Sequence, residues 1–308
     1  MLAMIARLRQ YAHSLSLIPE LCARTKGIES NLEIVRHAIG RVEARQVIPR
    51  KTNALNQAEF QVFSQWGEDG ILQWLISNVH VSKSIFVEFG VEKYTESNTR
   101  FLLINKNWSG LVMDGNKSNI DYIVRDPIYW RHNLKAVQSF ITRENINQTL
   151  RENGISGDVG LLSIDIDGND YWVWEAISEI DPAIVVVEYN SLFGADRAVV
   201  VPYDPEFMRS KAHFSHVYYG ASLAALVELG NRKGLAFVGV NSAGHNAFFV
   251  RRDLLPAIIK EMTASEAYIS HQFREARDQS GKLRFTSHEE DANEILGLPL
   301  CEISKNGK

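Results

Sequence analysis

The sequence predicts an α/β fold: a doubly wound, mostly parallel seven-stranded sheet with a terminal antiparallel hairpin, preceded by N-terminal helices. Three observations predict it. Short apolar runs rich in Ile and Val recur without a helical period, as strands buried on both faces do: Ile85-Phe86-Val87, Leu161-Leu162-Ser163-Ile164 and Ile184-Val185-Val186-Val187. Helical segments alternate with these runs, as in successive βαβ units. Several runs end in a carboxylate, and open α/β sheets place their ligands at the carboxyl ends of strands.

Residues 1 to about 46 stand apart. Met4, Leu8, Tyr11, Leu15, Ile18 and Cys22 follow steps of four and three, and Ile28, Leu32, Val35, Ile39 and Val42 repeat the pattern in a shifted phase. Breaks near Pro19 and Gly27 suggest a helical pair, packed on its own domain or on a twin subunit as a homo-oligomer. Up to Lys51 there are nine Lys/Arg against four Asp/Glu, which leaves about -9 for the remainder. A basic amphipathic segment lying on an anionic membrane surface is the rival expectation. The segment 1–50 is thus read as N-terminal and coiled-coil-like, and Pro49 to Ala58 as a linker. The core is placed at 60–255 and a helical, polar extension at 256–308.

Within the core, Gly67-Glu68-Asp69-Gly70 leads into a helix over Ile71–Val79. Strands come next at Ser84–Phe89 and Gly110–Met113, with a helix over Asn98–Asn105 between them. Ala136–Ile141 reads as a strand and Glu144–Glu152 as a helix ended by Asn153-Gly154. The Leu161 strand, a Trp-rich helix over Tyr171–Ile180 and the Ile184 strand come after it. Residues 191–218 lack periodicity and contain Pro202 and Pro205. A helix over Ser222–Lys233 stops at Gly234, and Leu235–Val240 with Ala247–Val250 form the hairpin.

Bulk properties bound the function. A chain of 308 residues, 45% hydrophobic and 23% charged, can bury a sizeable core. A net charge of -4 gives no reason to expect a nucleic-acid partner. Cys22 and Cys301 have no metal-ligand spacing and read as free thiols of a reducing compartment. No apolar stretch approaches a membrane span, and the start lacks the features of a signal peptide. The expected location is the cytoplasm, with peripheral contact at the inner membrane face open to the basic segment.

Two strand-end motifs point to a nucleoside. Ile85-Phe86-Val87-Glu88-Phe89-Gly90 ends a strand in an acid, with glycine two places later, but lacks the G-x-G-x-x-G of a dinucleotide loop. About 26 residues on, Leu111-Val112-Met113-Asp114-Gly115 places an acid where it suits a bidentate hydrogen bond to ribose hydroxyls. Either acid could instead cap a helix; together they favour a nucleoside without a diphosphate.

Phe86-Val87-Glu88-Phe89-Gly90, Glu96-Ser97-Asn98-Thr99-Arg100 and Trp108-Ser109-Gly110-Leu111-Val112-Met113-Asp114-Gly115 resemble class I S-adenosylmethionine-dependent methyltransferases, and within them the FkbM-like group found with bacterial polysaccharide genes. Ser64-Gln65-Trp66-Gly67-Glu68-Asp69-Gly70, Thr142-Arg143-Glu144-Asn145-Ile146-Asn147 and Gly244-His245-Asn246-Ala247-Phe248-Phe249-Val250 add to the resemblance, which spans about residues 60–252. It departs from the family after the first strand, where Val91-Glu92-Lys93-Tyr94-Thr95 replaces the usual glycine-rich loop. The resemblance implies a Rossmann-like sheet and S-adenosylmethionine as cofactor. Glu88 and Gly90 would line its methionine end, Asp114 and Gly115 the ribose, with Asn98 and Ser139 near the pocket. It also implies a sugar, nucleotide-sugar or glycan acceptor.

Leu161-Leu162-Ser163-Ile164-Asp165-Ile166-Asp167-Gly168 and Ile184-Val185-Val186-Val187-Glu188-Tyr189-Asn190 carry the remaining acids. Asp165, Glu188 and Asn190 resemble the acid and acid-plus-amide set of metal-dependent O-methyltransferases of the catechol and macrolide-sugar type, with Asp167 as an extra oxygen ligand. Hard oxygen ligands suit Mg²⁺ or another divalent cation, which would lower the pKa of an acceptor hydroxyl. In the plainer alternative, Asp165 and Asp167 bind the cofactor and cap the following helix. Asp165, His216 and His245 are the candidate catalytic residues, histidines being natural general bases; His213 shares the irregular segment with His216.

Two other functions compete. Asp165-Ile166-Asp167-Gly168 resembles the nucleophile loop of Mg²⁺-dependent haloacid dehalogenase-like phosphatases, although Asn169 comes next and the strand is not the first. A non-catalytic nucleoside-binding scaffold is the other. An EF-hand fails because its glycine position holds Asp170, and Gly220-Ala221-Ser222-Leu223-Ala224 lacks the second glycine of a nucleophile elbow. Trp172, Trp174, Tyr218 and Tyr219 read mainly as core, with the tyrosines open to stacking on a sugar.

Overall fold

The computed structural model describes residues 2–48, 52, 54–273 and 275–304. The chain divides into two compact units, Met1–Glu43 and Ala44–Lys308. The first unit belongs to α1 (Leu2–Val47), which runs through Pro19 and Gly27 as one helix rather than the expected pair. A proline inside a helix costs about 3 kcal/mol and a glycine about 1 kcal/mol, defects that many flanking turns can carry. The side chains of Met4, Leu8 and Tyr11 lie outside the described residues, as do Pro49 and Asn53 of the expected linker. The rest of that segment is not a free linker, because Leu55–Ala58 is a 3-10 helix that buries Leu55 and Ala58.

The second unit is built on a seven-stranded sheet. β1 (Ile85–Phe89), β2 (Ser109–Asp114), β3 (Leu134–Gln138), β4 (Gly157–Ile164) and β5 (Ile180–Glu188) are parallel. β6 (Val199–Val200) lies outside this sheet, and the hairpin of β7 (Leu235–Val240) and β8 (Asn246–Arg251) joins β5 antiparallel through β8. The order is β3-β2-β1-β4-β5-β8-β7, so strand progression reverses between β1 and β4. That reversal is the switch point at which doubly wound sheets open a crevice. β6 pairs with β9 (Cys301–Glu302), which returns the end of the described chain to the middle of the fold.

Alternation along each strand divides the core between two faces. Val87, Phe89, Leu111, Met113, Leu162, Ile164, Val185 and Val187 enter one apolar cluster, and Phe86, Val112, Leu161, Ile184, Val186 and Phe248 enter the other. Both faces are dry, which explains why the strands read as continuous apolar runs. Each such side chain contributes about 1.5–3 kcal/mol by leaving water. The connecting helices are α2 (Glu68–Asn78), α3 (Arg100–Lys106), α4 (Lys117–Arg125), α5 (Pro127–Arg131), α6 (Ile146–Glu152) and α7 (Asp170–Ala176). The later ones are α8 (Arg209–Ala212), α9 (Leu223–Arg232), α10 (Ala264–Ala267) and α11 (His288–Glu294).

Several boundaries differ from the sequence reading. β3 ends at Gln138, so Ser139 and Ile141 belong to the loop beyond it. α7 stops at Ala176 because β5 already begins at Ile180, pairing through Pro182 with β4. α4 and α5 were not expected, although Asn116 caps the first and Asp126-Pro127 opens the second with a capping carboxylate and a proline in its first turn. Among the described residues no helix is long and apolar enough to cross a membrane.

Candidate active site

A cavity of about 1600 Å³ opens along the carboxyl ends of β1, β2, β4 and β5. Glu88, Gly90, Asn98, Asp114, Gly115, Ser139, Asp165, Asp167, Glu188, His216 and His245 all border it. Eleven of the twelve residues singled out from sequence are thus brought together; Asn190 is not among its lining.

On the β1–β2 side the carboxylates are held by the chain's own donors. Glu88 accepts from the Asn98 N–H at 2.8 Å, from the Thr99 N–H and hydroxyl, and from the Ser163 hydroxyl at 3.4 Å. A carboxylate has about four acceptor positions, so these donors fill Glu88. Its role differs from the implied one: it faces the cavity, but its oxygens fasten the segment that enters α3. Burial raises its pKa, and the Thr99 and Asn98 hydrogen bonds oppose the rise. Asp114 accepts from Asn116 N–H at 2.7 Å and Asn119 Nδ2 at 3.0 Å on one oxygen, and from Glu92 N–H at 2.8 Å on the other. One acceptor position remains on Oδ2, so Asp114 suits a single ribose hydroxyl bond rather than the expected bidentate one. The Glu92 donor is set by left-handed backbone at Glu92 itself (φ 46°). The loop that replaces the glycine-rich turn therefore spends its strain on holding Asp114.

Gly90 joins the two sides. Its φ is 70°, and a Cβ there would stand 1.6 Å from the carbonyl oxygen of Asp165. Only glycine permits that approach of the β1 and β4 loops.

On the β4–β5 side the acids crowd one another. Oxygens of Asp165, Asp167 and Glu188 lie within 4.8 Å of one another. Burial, then the charges of Asp167 and Asp170, pushes Asp165 well above the usual carboxylate range; burial and the charge of Asp165 do the same to Glu188. A hydrogen bond between Asp165 and Glu188 works against the rise at Asp165, and the two carboxyls are coupled, each raised by the charge nearby. Glu188 is buried, and its Oε2 has no hydrogen-bond partner. His245 stands between them, with Nδ1 3.4 Å from Glu188 and Nε2 3.9 Å from Asp165. Burial and then Arg209 lower its pKa to about 4, so the imidazole is neutral at pH 7. Its Nδ1 is also without a hydrogen bond.

The helix-capping alternative falls to a neighbour. Asp170 accepts from the Ile166 and Gly168 N–H groups, each at 2.8 Å, and so orders the loop before α7. Asp167 instead projects outward with φ 59° and pairs with Arg209 at 2.6 Å. Asn190 is committed elsewhere: its amide donates to the Val217 and Tyr219 carbonyls, and its Oδ1 accepts from the Leu192 N–H. Its side chain therefore serves as a corner brace, with amide and carbonyl both engaged. His216 reaches the cavity from left-handed backbone (φ 62°), while His213 is occupied with Ser215.

Several lining residues had no sequence signal strong enough to single them out. Arg209 bridges Asp167 and Glu275 and lies 4.6 Å over the Tyr219 ring. Burial works against its charge, but Glu275, Tyr219 and Asp167 outweigh it and raise its pKa. Phe273 stacks on Trp66 at 5.1 Å and meets His245 edge-on at 5.0 Å. Gln272, Arg277 and Phe285 continue this wall. Tyr218 donates to the Pro299 carbonyl, and Trp174 is core, in line with the plainer reading of both. The motif residues Glu68 and Asn246 meet each other at 2.9 Å, and Asp69 accepts from the N–H groups of Val62, Phe63 and Ser64. Glu68, Asp69 and Asn246 thus brace the rim, while Trp66 and His245 of the same motifs face the cavity.

No family model matches this sequence, and no curated protein matches it. Among solved structures, an S-adenosylmethionine-dependent methyltransferase from Clostridium acetobutylicum is 8% identical, with 59% of this chain and 89% of that chain covered and a TM-score of 0.39. An O-methyltransferase from Bacillus cereus in complex with SAH is 12% identical over 54% of this chain and 72% of that chain, with a TM-score of 0.32. An O-methyltransferase family protein from Burkholderia thailandensis is 10% identical over 71% and 70%, with a TM-score of 0.35. At such identities and scores, function is read from the cavity's own residues.

Proposed function

We propose that this protein is an S-adenosylmethionine-dependent O-methyltransferase that acts on a hydroxyl of a sugar, nucleotide-sugar or glycan precursor. One observation carries the reading. A single cavity at the switch point joins a strand-end carboxylate with one acceptor position left, Asp114, to an acidic corner that encloses a neutral imidazole. The sugar class comes from the sequence resemblance alone.

Gly90, Asp114, Gly115 and Ser139 would hold the cofactor, with Oδ2 of Asp114 taking a ribose hydroxyl. The bound cofactor supplies an electrophilic methyl group on a sulfonium. An alcohol is a poor nucleophile at neutral pH, so its proton needs somewhere to go. His245 is neutral and lies within 3.9 Å of two carboxyl groups, so it would be the group that takes up that proton, its charge favoured by Asp167. Phe273 and Trp66 wall that corner.

The donor set also fits a divalent cation, because Glu188 carries a buried oxygen without a partner and the Asp165 and Asp167 oxygens are close by. Asp165, Asp167 and Glu188 would hold it, and it would lower the pKa of the acceptor hydroxyl. Binding would favour the ionised carboxyls and compete with Arg209 for Asp167.

Titration calorimetry with S-adenosylhomocysteine tests the cofactor half. Saturable binding is expected, and no heat at millimolar ligand would refute the reading. Turnover that survives excess chelator would reject the cation while leaving the His245 route standing.

A further inference from the structure

We propose that α1 is one strand of a parallel, self-assembled coiled coil, with a second copy of this chain covering a seam that runs from Ile18 to Val42. The proposal is independent of the chemistry in the cavity. The sequence divides the apolar repeat into two runs of different phase. The unbroken helix joins them in one register. From Ile18 on, the seam reads Ile18, Leu21, Thr25, Ile28, Leu32, Val35, Ile39 and Val42, alternating steps of three and four. With Ile18 at position a, the a positions are Ile18, Thr25, Leu32 and Ile39, and the d positions are Leu21, Ile28, Val35 and Val42. This amounts to about four heptads, the length at which such a repeat becomes specific.

Exposure supports the assignment. Seven of these eight residues are large and apolar, and each is between 48% and 62% exposed. Pro19 and Gly27 fall at positions b and c, off the seam, so neither interrupts it. Ala44 and Val47, which are buried in the second unit, stand at f and b and do not compete for it. A contiguous row of exposed aliphatic side chains on one helix is what a coiled-coil partner covers.

Charge allows a second copy in parallel register, with one oppositely charged pair and no like-charged ones. In parallel, in-register chains the g residue of one heptad meets the e residue of the next heptad in the other chain. That places Arg24 against Glu29 of the second copy. The other flanking pairs are Leu17 with Cys22, Asn31 with Arg36, and Ala38 with Glu43, and none sets like charges together. A second copy of this chain is therefore complementary to the first without any further partner.

Light scattering on the full-length protein reads the mass directly. A stable multiple of 34.8 kDa is expected, and a mass of 34.8 kDa at tens of micromolar overturns the proposal. Leu32→Lys with Ile39→Lys should return the protein to monomer while leaving the thermal unfolding of the second unit in place; an unchanged mass removes the seam as the cause. Direction is read by oxidative crosslinking in a Cys22→Ser, Cys301→Ser background. Leu21→Cys and Val42→Cys should each crosslink alone. A crosslink formed only when the two variants are mixed means an antiparallel arrangement and overturns the proposal. So does capture of monomers by anionic phospholipid vesicles, which would assign the seam to a membrane surface.

Discussion

The two sides of the cavity are made of the same side-chain type in opposite conditions. On the β1–β2 side, Glu88 and Asp114 receive seven donors from the chain between them. On the β4–β5 side, burial and mutual charge raise the pKa values of Asp165 and Glu188, and Glu188 keeps an oxygen with no partner. The difference teaches that a strand-end acid is not a role. Supplied with backbone N–H groups, it becomes part of the scaffold and presents a fixed acceptor. Deprived of them, it is pushed toward its protonated form and keeps an unfilled acceptor oxygen.

The contact that keeps the two sides in register should be the most sensitive point. Gly90→Ala forces a Cβ into the Asp165 carbonyl and strains a residue at φ 70°. It should cost about 3 kcal/mol or more in urea unfolding. An unchanged midpoint would mean the loops separate at no cost and the sides are independent. Asp114→Ala tests the scaffolded side. It should weaken S-adenosylhomocysteine binding by about 10- to 100-fold, since a hydrogen bond involving a charged group contributes roughly 1.5–3 kcal/mol. Equal affinity in calorimetry would show that the nucleoside lies elsewhere.

Asn190→Ala separates bracing from ligation. Loss of its amide leaves the buried Val217 and Tyr219 carbonyls short of a donor, a cost of about 1–3 kcal/mol. Divalent-ion binding measured on the same sample should be unchanged; loss of binding without loss of stability would restore Asn190 as a ligand.

The smallest effect is a slope. Burial and Asp165 raise the folded pKa of Glu188, so the folded state holds protons that the unfolded state has released. Stability therefore falls as pH rises above the ordinary carboxylate range. His245, lowered to about 4, acts the other way between that value and 6.5, where stability rises with pH. Above pH 6.5 the His245 contribution is complete, and any further slope comes from groups raised as Glu188 is. In chelator, thermal midpoints of the wild type should decline there more steeply than those of Glu188→Gln. Parallel curves would show that Glu188 is ionised throughout, and added Mg²⁺ should flatten only the wild type.

The sheet was legible because Ile184 to Val187 and Leu161 to Ile164 are buried on both faces, so their apolar character had no polar alternation to obscure it. The strand-end acids were legible for the same reason, as the first polar residues after a dry run. Arg209, Phe273 and Glu275 were not. They come from irregular segments whose places are fixed by tertiary contacts, and no local period marks them. Asp126-Pro127 was a readable helix start that went unread. The roles of Glu88 and Asn190 could not be read at all, since they depend on which N–H groups the fold aims at them.

The far wall of the cavity is drawn from residues 272–285, and the β6–β9 pair draws on Cys301 and Glu302. All are made after the sheet is complete. Synthesis adds about 5–20 residues each second, so this wall joins the chain some seconds after the last strand of the sheet. During that interval Glu188 and His245 have neither Phe273 nor Glu275 beside them. A chain cut short near residue 260 would keep every strand of the main sheet and most of the cavity lining, and would lack the wall that Phe273 and Glu275 supply.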